Sequence, residues 1–547
     1  MNSQKISDNS KNNYFSIRQT EIFNASDSDI KIESELKDNE LSLYVISEKA
    51  CQTDKISVEI DYDFKEGDKV YVNGYQSWTD SKEYSLCEKM FAPAPLMQAV
   101  LRGPIGKSTG IANAGDTPIL NFKRETGKFY GFSYGYVRRG DKVDVFGSLS
   151  ERNGYTIIEF DSTKNRIVIS VDLKGKKIIA GKNLLLHVGR FMGEYNNAFD
   201  EYFKAMGITP KQKPLLTGYT TWYNYYRNIT QKIVERDLQA ISKLDAKVDI
   251  FQIDDGYQLA IGDWLNCVQS KFPDGMKAMS KLIHEKNMLA GLWLAPFAVT
   301  KDCFIFKEHN DWIVRDEKGK LVKAGANWGG FYSLDIYNPN VREYIRKFFD
   351  VILNDWGYDL VKLDFLYCAC IVPMYGKSRG EIMCDAMDLL RDCCGKKLIL
   401  GCGVPLAPAF GKVDYCRIGP DVSLDWGKNK YDSREGVSTK HAILNSVFRR
   451  HLDGRAFGND PDVFLLRDTN IRLNAQQKKS LAKINKLCGK VLFTSDNIDD
   501  YNDDKTNTIK YIFDRNIPKI FKAEYDDGVL TIEYEENSKK DTFTIRL

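Results

Sequence analysis

The hydrophobic period of this 547-residue chain changes once, near Lys211, and that change constrains the fold more than any other feature. Beyond it, short β-branched and aromatic runs alternate with long amphipathic stretches, the pattern of βα units closing on a parallel sheet. The clearest helix follows Asn338-Pro339, with Val341, Ile345, Phe348, Phe349 and Ile352 on one face and Gly357 as its stop. A second stripe (Ile382, Ala386, Leu389, Leu390, Cys393) ends at Gly395, and a third carries Val234, Leu238 and Ile241. Between them lie candidate strands at 216–221, 248–253, 289–294, 360–365, 398–401, 413–416 and 491–494, with a weak eighth near 456–458. Seven clear strands and one weak one fit a (β/α)8 TIM barrel better than a doubly wound sheet. The lack of any GxGxxG or GxxxxGK[ST] turn agrees.

Upstream, from about residue 12 to 205, β-rich runs separated by turn clusters such as Glu66-Gly67-Asp68 suit an antiparallel sandwich. Downstream, the alternating pieces 529–534 and 542–546 suit a short C-terminal β domain. The expectation is therefore a multidomain chain: an N-terminal β-sandwich domain over 1–210, a (β/α)8 barrel over 211–498 and an antiparallel β domain over 499–547.

Lys plus Arg number 78 and Asp plus Glu 75, and a net charge of +3 offers no field for gripping nucleic acid. The first twenty residues are polar, unlike a secretory leader, and the near-apolar stretch 288–299 is too short to span about 30 Å of hydrocarbon. A cytoplasmic protein without membrane or nucleic-acid partners is expected. Twelve cysteines without a paired CxxC, and five histidines without HxH or HExxH spacing, support no metal site and no cofactor. One chain does not fix the oligomeric state, and a homo-oligomer remains open.

A barrel carries its working residues where the strands end. Here those positions hold Trp222 and Tyr223; Asp254, Asp255 and Tyr257; Trp293; Lys362 and Asp364; Cys402 and Gly403; Arg417 and Asp421; and Ser495 with Asp496. Carboxylates alternating with indoles suggest a sugar site, because aromatic faces stack on sugar C–H surfaces while charged groups take hydroxyls. Trp222, Trp264 and Trp293 suit the first task; Asp254, Asp255 and Lys362 suit the second. Each tryptophan taken alone also fits core filling. Lys362 and Asp364 leave the same strand face, so the lysine is expected to hold the aspartate ionised, as a carboxylate nucleophile requires; a structural ion pair reads equally well. Asp421 sits on a turn after Gly419-Pro420, with Arg417 four residues earlier to orient it. Two such carboxylates about 5 Å apart would supply the nucleophile and acid/base of a retaining glycosidase.

These motifs together resemble glycoside hydrolase family 36, the α-galactosidases of bacterial type. The matching elements are Asn73-Gly-Tyr-Gln-Ser-Trp78, Trp222-Tyr223, Gln252-Ile-Asp254-Asp255-Gly-Tyr257, Gly262-Asp-Trp264, Leu292-Trp293-Leu-Ala-Pro296, Lys362-Leu-Asp364, Leu400-Gly-Cys402-Gly-Val-Pro405, Arg417-Ile-Gly-Pro-Asp421 and Asn459-Asp-Pro-Asp462, in the family's order. The resemblance implies an N-terminal β-supersandwich, a catalytic (β/α)8 barrel and a C-terminal β domain. It implies Asp364 as nucleophile, Asp421 as acid/base, and Asp254 and Asp255 on the 4- and 6-hydroxyls. Lys362 and Arg417 would hold neighbouring hydroxyls, Trp293 would stack under the sugar, and Trp78 would wall the pocket. Cys402 with Gly403 would lie near the 2-hydroxyl and exclude a 2-acetamido group. The activity implied is metal-independent, retaining and exo-acting on terminal α-D-galactosides such as melibiose and raffinose-type oligosaccharides. A transglycosylase of raffinose-synthase type and a catalytically silent sugar binder are the alternatives.

Overall fold

In the strand Glu40–Ser47, Leu41, Leu43 and Val45 are fully buried while the residues between them are not, the period-two pattern of a sheet with one face on a core. That strand belongs to one of two antiparallel sheets in the computed structural model, which describes residues 3–7, 10–26, 29–210, 212–427 and 434–547. The change of period expected at Lys211 lies outside these residues. One sheet has six strands, in the order Ser3–Ser7, Ile17–Phe23, Lys55–Asp61, Arg166–Asp172, Tyr155–Asp161 and Lys128–Phe132. The other has seven, in the order Lys31–Lys37, Glu40–Ser47, Gly181–Glu194, Lys142–Ser148, Tyr134–Arg139, Lys69–Val72 and Glu83–Ser85. Ile22, Leu43, Val58, Phe129, Phe160 and Ile169 contribute to their shared core. The β-rich reading of this region misses two helices, Pro95–Arg102 and Pro104–Thr109. Both begin at a proline, whose fixed φ suits the first helical position.

The parallel sheet that follows closes on itself. Its strands run Leu216–Thr220, Ile250–Ile253, Leu289–Leu294, Leu360–Leu363, Leu398–Gly401, Tyr415–Arg417, Gly458–Asp460 with Val463–Phe464, and Val491–Thr494. Gly458–Asp460 pairs with Tyr415–Arg417, and Val463–Phe464 pairs with Val491–Thr494, which itself pairs with Leu216–Thr220. The seventh strand is thus two pieces separated by Pro461 and Asp462. Proline has no N–H to give the ladder, and Asp462 sits at φ 79°. This is why the sequence signal is weakest here.

Each strand is followed by a helix: Gln231–Ser242, Gly275–His284, Pro339–Asp350, Arg379–Cys394, Leu406–Ala409, Thr439–Phe448, Ala475–Cys488 and Asp503–Phe513. Pro339–Asp350 continues through a π-turn, Val351–Asp355, to Gly357 at φ 81°. An excursion between the third strand and its helix forms a small antiparallel sheet of Ala298–Thr300, Phe331–Ser333 and Lys323–Gly325. The last 29 residues carry a three-stranded meander, Lys519–Asp526, Val529–Glu536 and Lys539–Arg546. It reaches back to the sandwich through Lys69–Asp526 at 3.1 Å and Arg138–Glu524 at 3.5 Å. Among the described residues no helix is long and apolar enough to cross a membrane. The twelve cysteines are all free thiols.

Candidate active site

Asp364 comes one residue after its strand ends, and Phe365 beyond it takes the left-handed conformation (φ 53°, ψ 31°). Such a backbone is costly for a bulky residue and persists only where its surroundings impose it. The turn aims the Asp364 carboxylate across the barrel mouth. Its Oδ2 accepts from Trp293 Nε1 at 3.1 Å and its Oδ1 from the Phe365 amide at 2.8 Å. Burial pushes this carboxyl above the ordinary carboxylate range; Lys362 pulls it down, and the Asp421 charge pushes it up again.

Lys362 does not pair with Asp364 as its strand position suggests. Its ammonium donates to Asp254 Oδ2 at 2.8 Å, because Asp364 lies beyond the strand's regular alternation and turns toward Trp293. Burial works against the Lys362 charge, yet Asp254 foremost, with Asp364 nearby, holds its pKa above the ordinary lysine value. Asp254 also accepts from Gln252 Nε2 at 2.7 Å and from the Asp255 amide at 2.9 Å. Asp255 takes Gln258 Nε2 at 2.6 Å on one oxygen and Trp328 Nε1 at 3.0 Å on the other, with Arg227 3.7 Å away. Burial raises its pKa too. The two adjacent aspartates are thus held apart electrostatically by different donors.

Opposite Asp364, Asp421 is about a third exposed and accepts from Arg417 Nη2 at 2.6 Å. The same guanidinium, itself buried, reaches Asp462 Oδ2 at 2.7 Å and Tyr223 Oη at 3.2 Å. Tyr223 Oη in turn donates to Asp462. Asp462 is therefore part of the cluster although the strand-end positions did not single it out. The signal lay in the Asn459-Asp-Pro-Asp462 run, where a proline breaks the strand and leaves an acid at its tip.

Cys402 sits between the two acidic poles, with Trp78 Nε1 3.4 Å and Arg417 Nη1 3.9 Å from its sulfur. Burial pushes its thiol pKa well up. Trp78 belongs to the sandwich, and the loop that carries it docks on the barrel: Ser77 N donates to Val404 O at 3.0 Å. Its indole meets Phe365 edge-on, centroids 5.3 Å apart.

Of the tryptophans expected at the site, Trp293 lies against the carboxylate. Trp264 lies behind Trp293, centroids 5.9 Å apart, fully enclosed with its indole N–H unpartnered, and offers no ring face to a ligand. Trp222 packs edge-on against the exposed Tyr226 at the rim. Asp496 is tied to Arg467 at 2.7 Å and to two backbone amides, and Arg467 holds the Tyr223 carbonyl. That pair braces the first and eighth strand ends. Trp328, Gln252 and Gln258 also join the cluster; Gln252 stands in the run that leads to Asp254, while no period or spacing marks Trp328. Among the described residues no group of three or more His, Cys, Asp or Glu side chains is placed to hold a metal ion.

A closed parallel barrel with an acidic, indole-lined mouth, walled by a loop from an N-terminal β-sandwich, is a fold shared with solved α-galactosidases. Residues 191–371 match the Melibiase family model. In sequence the chain is 28% identical over 272 residues to the A type blood α-D-galactosamine galactosaminidase of Flavonifractor plautii, covering 45% of this chain and 24% of that one. It is 28% identical over 162 residues to an α-galactosidase of Escherichia coli, covering 28% of this chain and 22% of that one. The chain thus spans about a quarter of the length of these curated relatives. In structure it is similar to TtGalA, an α-galactosidase from Thermus thermophilus, with a TM-score of 0.72 at 23% identity over 95% of this chain and 96% of that one.

Proposed function

We propose that the protein is a retaining, exo-acting α-galactosidase that hydrolyses terminal α-D-galactosides by double displacement. The observation that carries this reading is the pair of unequal carboxylates facing one mouth: Asp364, buried and held by Trp293 and the Phe365 amide, and Asp421, more exposed and held by Arg417. Asp364 attacks the anomeric carbon while Asp421 gives its proton to the departing glycosidic oxygen. The C–O bond to the aglycone breaks and a galactosyl ester forms. Water then attacks the same carbon, Asp421 takes its proton, and the ester bond returns its electrons to Asp364. Fold alone would not support a chemistry; the roles rest on these two environments.

Asp254 and Asp255, with Lys362, are assigned to the 4- and 6-hydroxyls, and Trp293 to the sugar's apolar face. The Trp78 indole, 3.4 Å from the Cys402 sulfur, is read as the wall that excludes a 2-acetamido group, favouring galactose over N-acetylgalactosamine. We assign the natural substrates to the melibiose and raffinose class and the setting to the cytoplasm, a reading with which twelve free thiols agree.

The test is hydrolysis of 4-nitrophenyl α-galactoside beside its α-glucoside, β-galactoside, α-galactosaminide and α-N-acetylgalactosaminide counterparts, with Asp364→Ala in parallel. Cleavage of the α-galactoside, lost by orders of magnitude in a folded variant and restored by azide with inverted product, is expected. Substantial residual turnover in a clean variant would reject the nucleophile, and preferred cleavage of the amino sugar would reject the substrate. Product analysis with a sugar acceptor separates hydrolysis from transglycosylation.

A further inference from the structure

Asp254 and Asp255 are neighbours in sequence but not in how they are held. Asp254 is fixed from the barrel floor by Lys362, Gln252 and a backbone amide. Asp255 lies on the rim side, beside Arg227, and its short hydrogen bonds come from Gln258 and from Trp328, which sits on the excursion after the third strand. Trp328 is only partly buried and occupies the left-handed region at φ 53°, followed by Gly329 at φ 81° and Gly330 at φ 108°. A tryptophan that merely filled space would not need a sparsely populated backbone to place its one donor on a carboxylate. The excursion is itself braced: Asn113 Nδ2 donates to Lys323 O at 2.8 Å and Tyr367 Oη to Ala324 O at 3.3 Å. The Trp328 ring stands 6.1 Å from Trp293 and 4.7 Å from Phe365, so it closes the wall between the two.

We propose that Trp328 is a positioning residue that fixes the Asp255 carboxylate for the sugar's exocyclic hydroxymethyl group, and so sets the enzyme's preference for galactose over the pentose that lacks that group. The inference rests on the galactoside reading above and takes Asp255, the rim-side acid, for the 6-hydroxyl. Trp328 does not touch the reacting atoms; it acts through Asp255.

The experiment compares 4-nitrophenyl α-D-galactopyranoside with 4-nitrophenyl β-L-arabinopyranoside, the same ring without its hydroxymethyl. In Trp328→Phe, which keeps a ring and loses the N–H, kcat/KM for the galactoside should fall roughly tenfold or more, the scale of one lost hydrogen bond to a charged group. The arabinoside should lose far less. On an Asp255→Asn background the same substitution should leave the ratio of the two substrates unchanged, since the coupling would already be gone. Trp328→His, which retains a ring N–H, should recover part of the wild-type ratio and provides the comparison if the Phe variant folds poorly. Equal losses on both substrates would mean a purely structural role and overturn the proposal. A wild type inactive on both substrates would overturn the galactoside reading itself, and the inference with it.

Discussion

A Cβ at position 403 would lie 2.8 Å from Trp78 Cζ2 and 2.9 Å from the Phe365 amide, and residue 403 sits at φ 55°. Glycine is thus required twice over, by conformation and by contact. Gly403→Ala should cost about 1–3 kcal/mol of stability in urea titration. It should also lower kcat/KM, because relief of the clash has to move the Trp78 wall or the residue after Asp364. The acid pair makes a second prediction. Burial raises the Asp364 pKa and the Asp421 charge raises it further. A nucleophile must be ionised, so the acid limb of kcat/KM should lie above the ordinary carboxylate range of about 4. Asp421 has to carry its proton when Asp364 attacks, so Asp421→Asn, assayed with a leaving group good enough to depart unprotonated, should keep the acid limb. Loss of the acid limb in that variant would assign the limb to Asp421 instead.

At the scale of elements, one buried side chain reaches across from barrel to sandwich at several points. Arg449, fully buried at the end of the helix Thr439–Phe448, donates to Asn73 Oδ1 at 3.1 Å, Gln76 O at 3.1 Å, Ser77 O at 2.6 Å and Ile418 O at 2.9 Å. It binds the loop carrying Trp78 to the strand end carrying Arg417. Arg449→Met would strand these acceptors in a dry environment, and a loss of about 3–5 kcal/mol is expected, on the scale of a broken buried charged network. Chemical denaturation measures that loss, and KM for an oligosaccharide should rise as the Trp78 loop loosens. The sequence makes some of this legible and some not. Strand ends such as Leu289–Leu294 and Leu398–Gly401 stand out because they are continuous apolar runs, and the helix Arg379–Cys394 stands out by its apolar stripe and its stop at Gly395. The acids at those ends follow from the barrel rule. The Arg449 contacts are not legible, because nothing local marks an arginine whose four partners lie up to 376 positions away. The same holds for Trp328, set on a loop with no strand period. It also holds for the pairing of Lys362, where alternation predicts the face correctly but the turn at Phe365 takes Asp364 off it.

The whole molecule is joined where the sandwich meets the fourth and fifth βα units, around a cavity of about 380 Å³ whose lining includes Glu151, Ile208, Cys384 and Phe410. Glu151 is 3% exposed; one carboxylate oxygen accepts from the Thr156 amide at 2.8 Å and the other is unpartnered. Burial pushes its pKa up from 4.5 to about 7, against the pull of the Thr156 amide and nearby hydroxyls. The sign follows from proton counting: between the unfolded value and about 7 the folded state binds the extra proton. Stability from this group is therefore complete below the unfolded pKa and is lost as pH rises through about 7, the reverse of an aspartate held ionised by a salt bridge. At pH 8 the cost of ionising it inside is on the order of 3 kcal/mol. Glu151→Gln removes the charge and keeps an acceptor for the Thr156 amide. Its unfolding free energy should exceed that of the wild type by up to about that amount at pH 8, with the gap closing toward pH 5. Every other titrating group is common to the two proteins, so the difference between their pH curves isolates Glu151. A gap independent of pH would show that Glu151 binds its proton equally in the folded and unfolded chains, its carboxylate finding compensation inside, and would overturn the raised pKa.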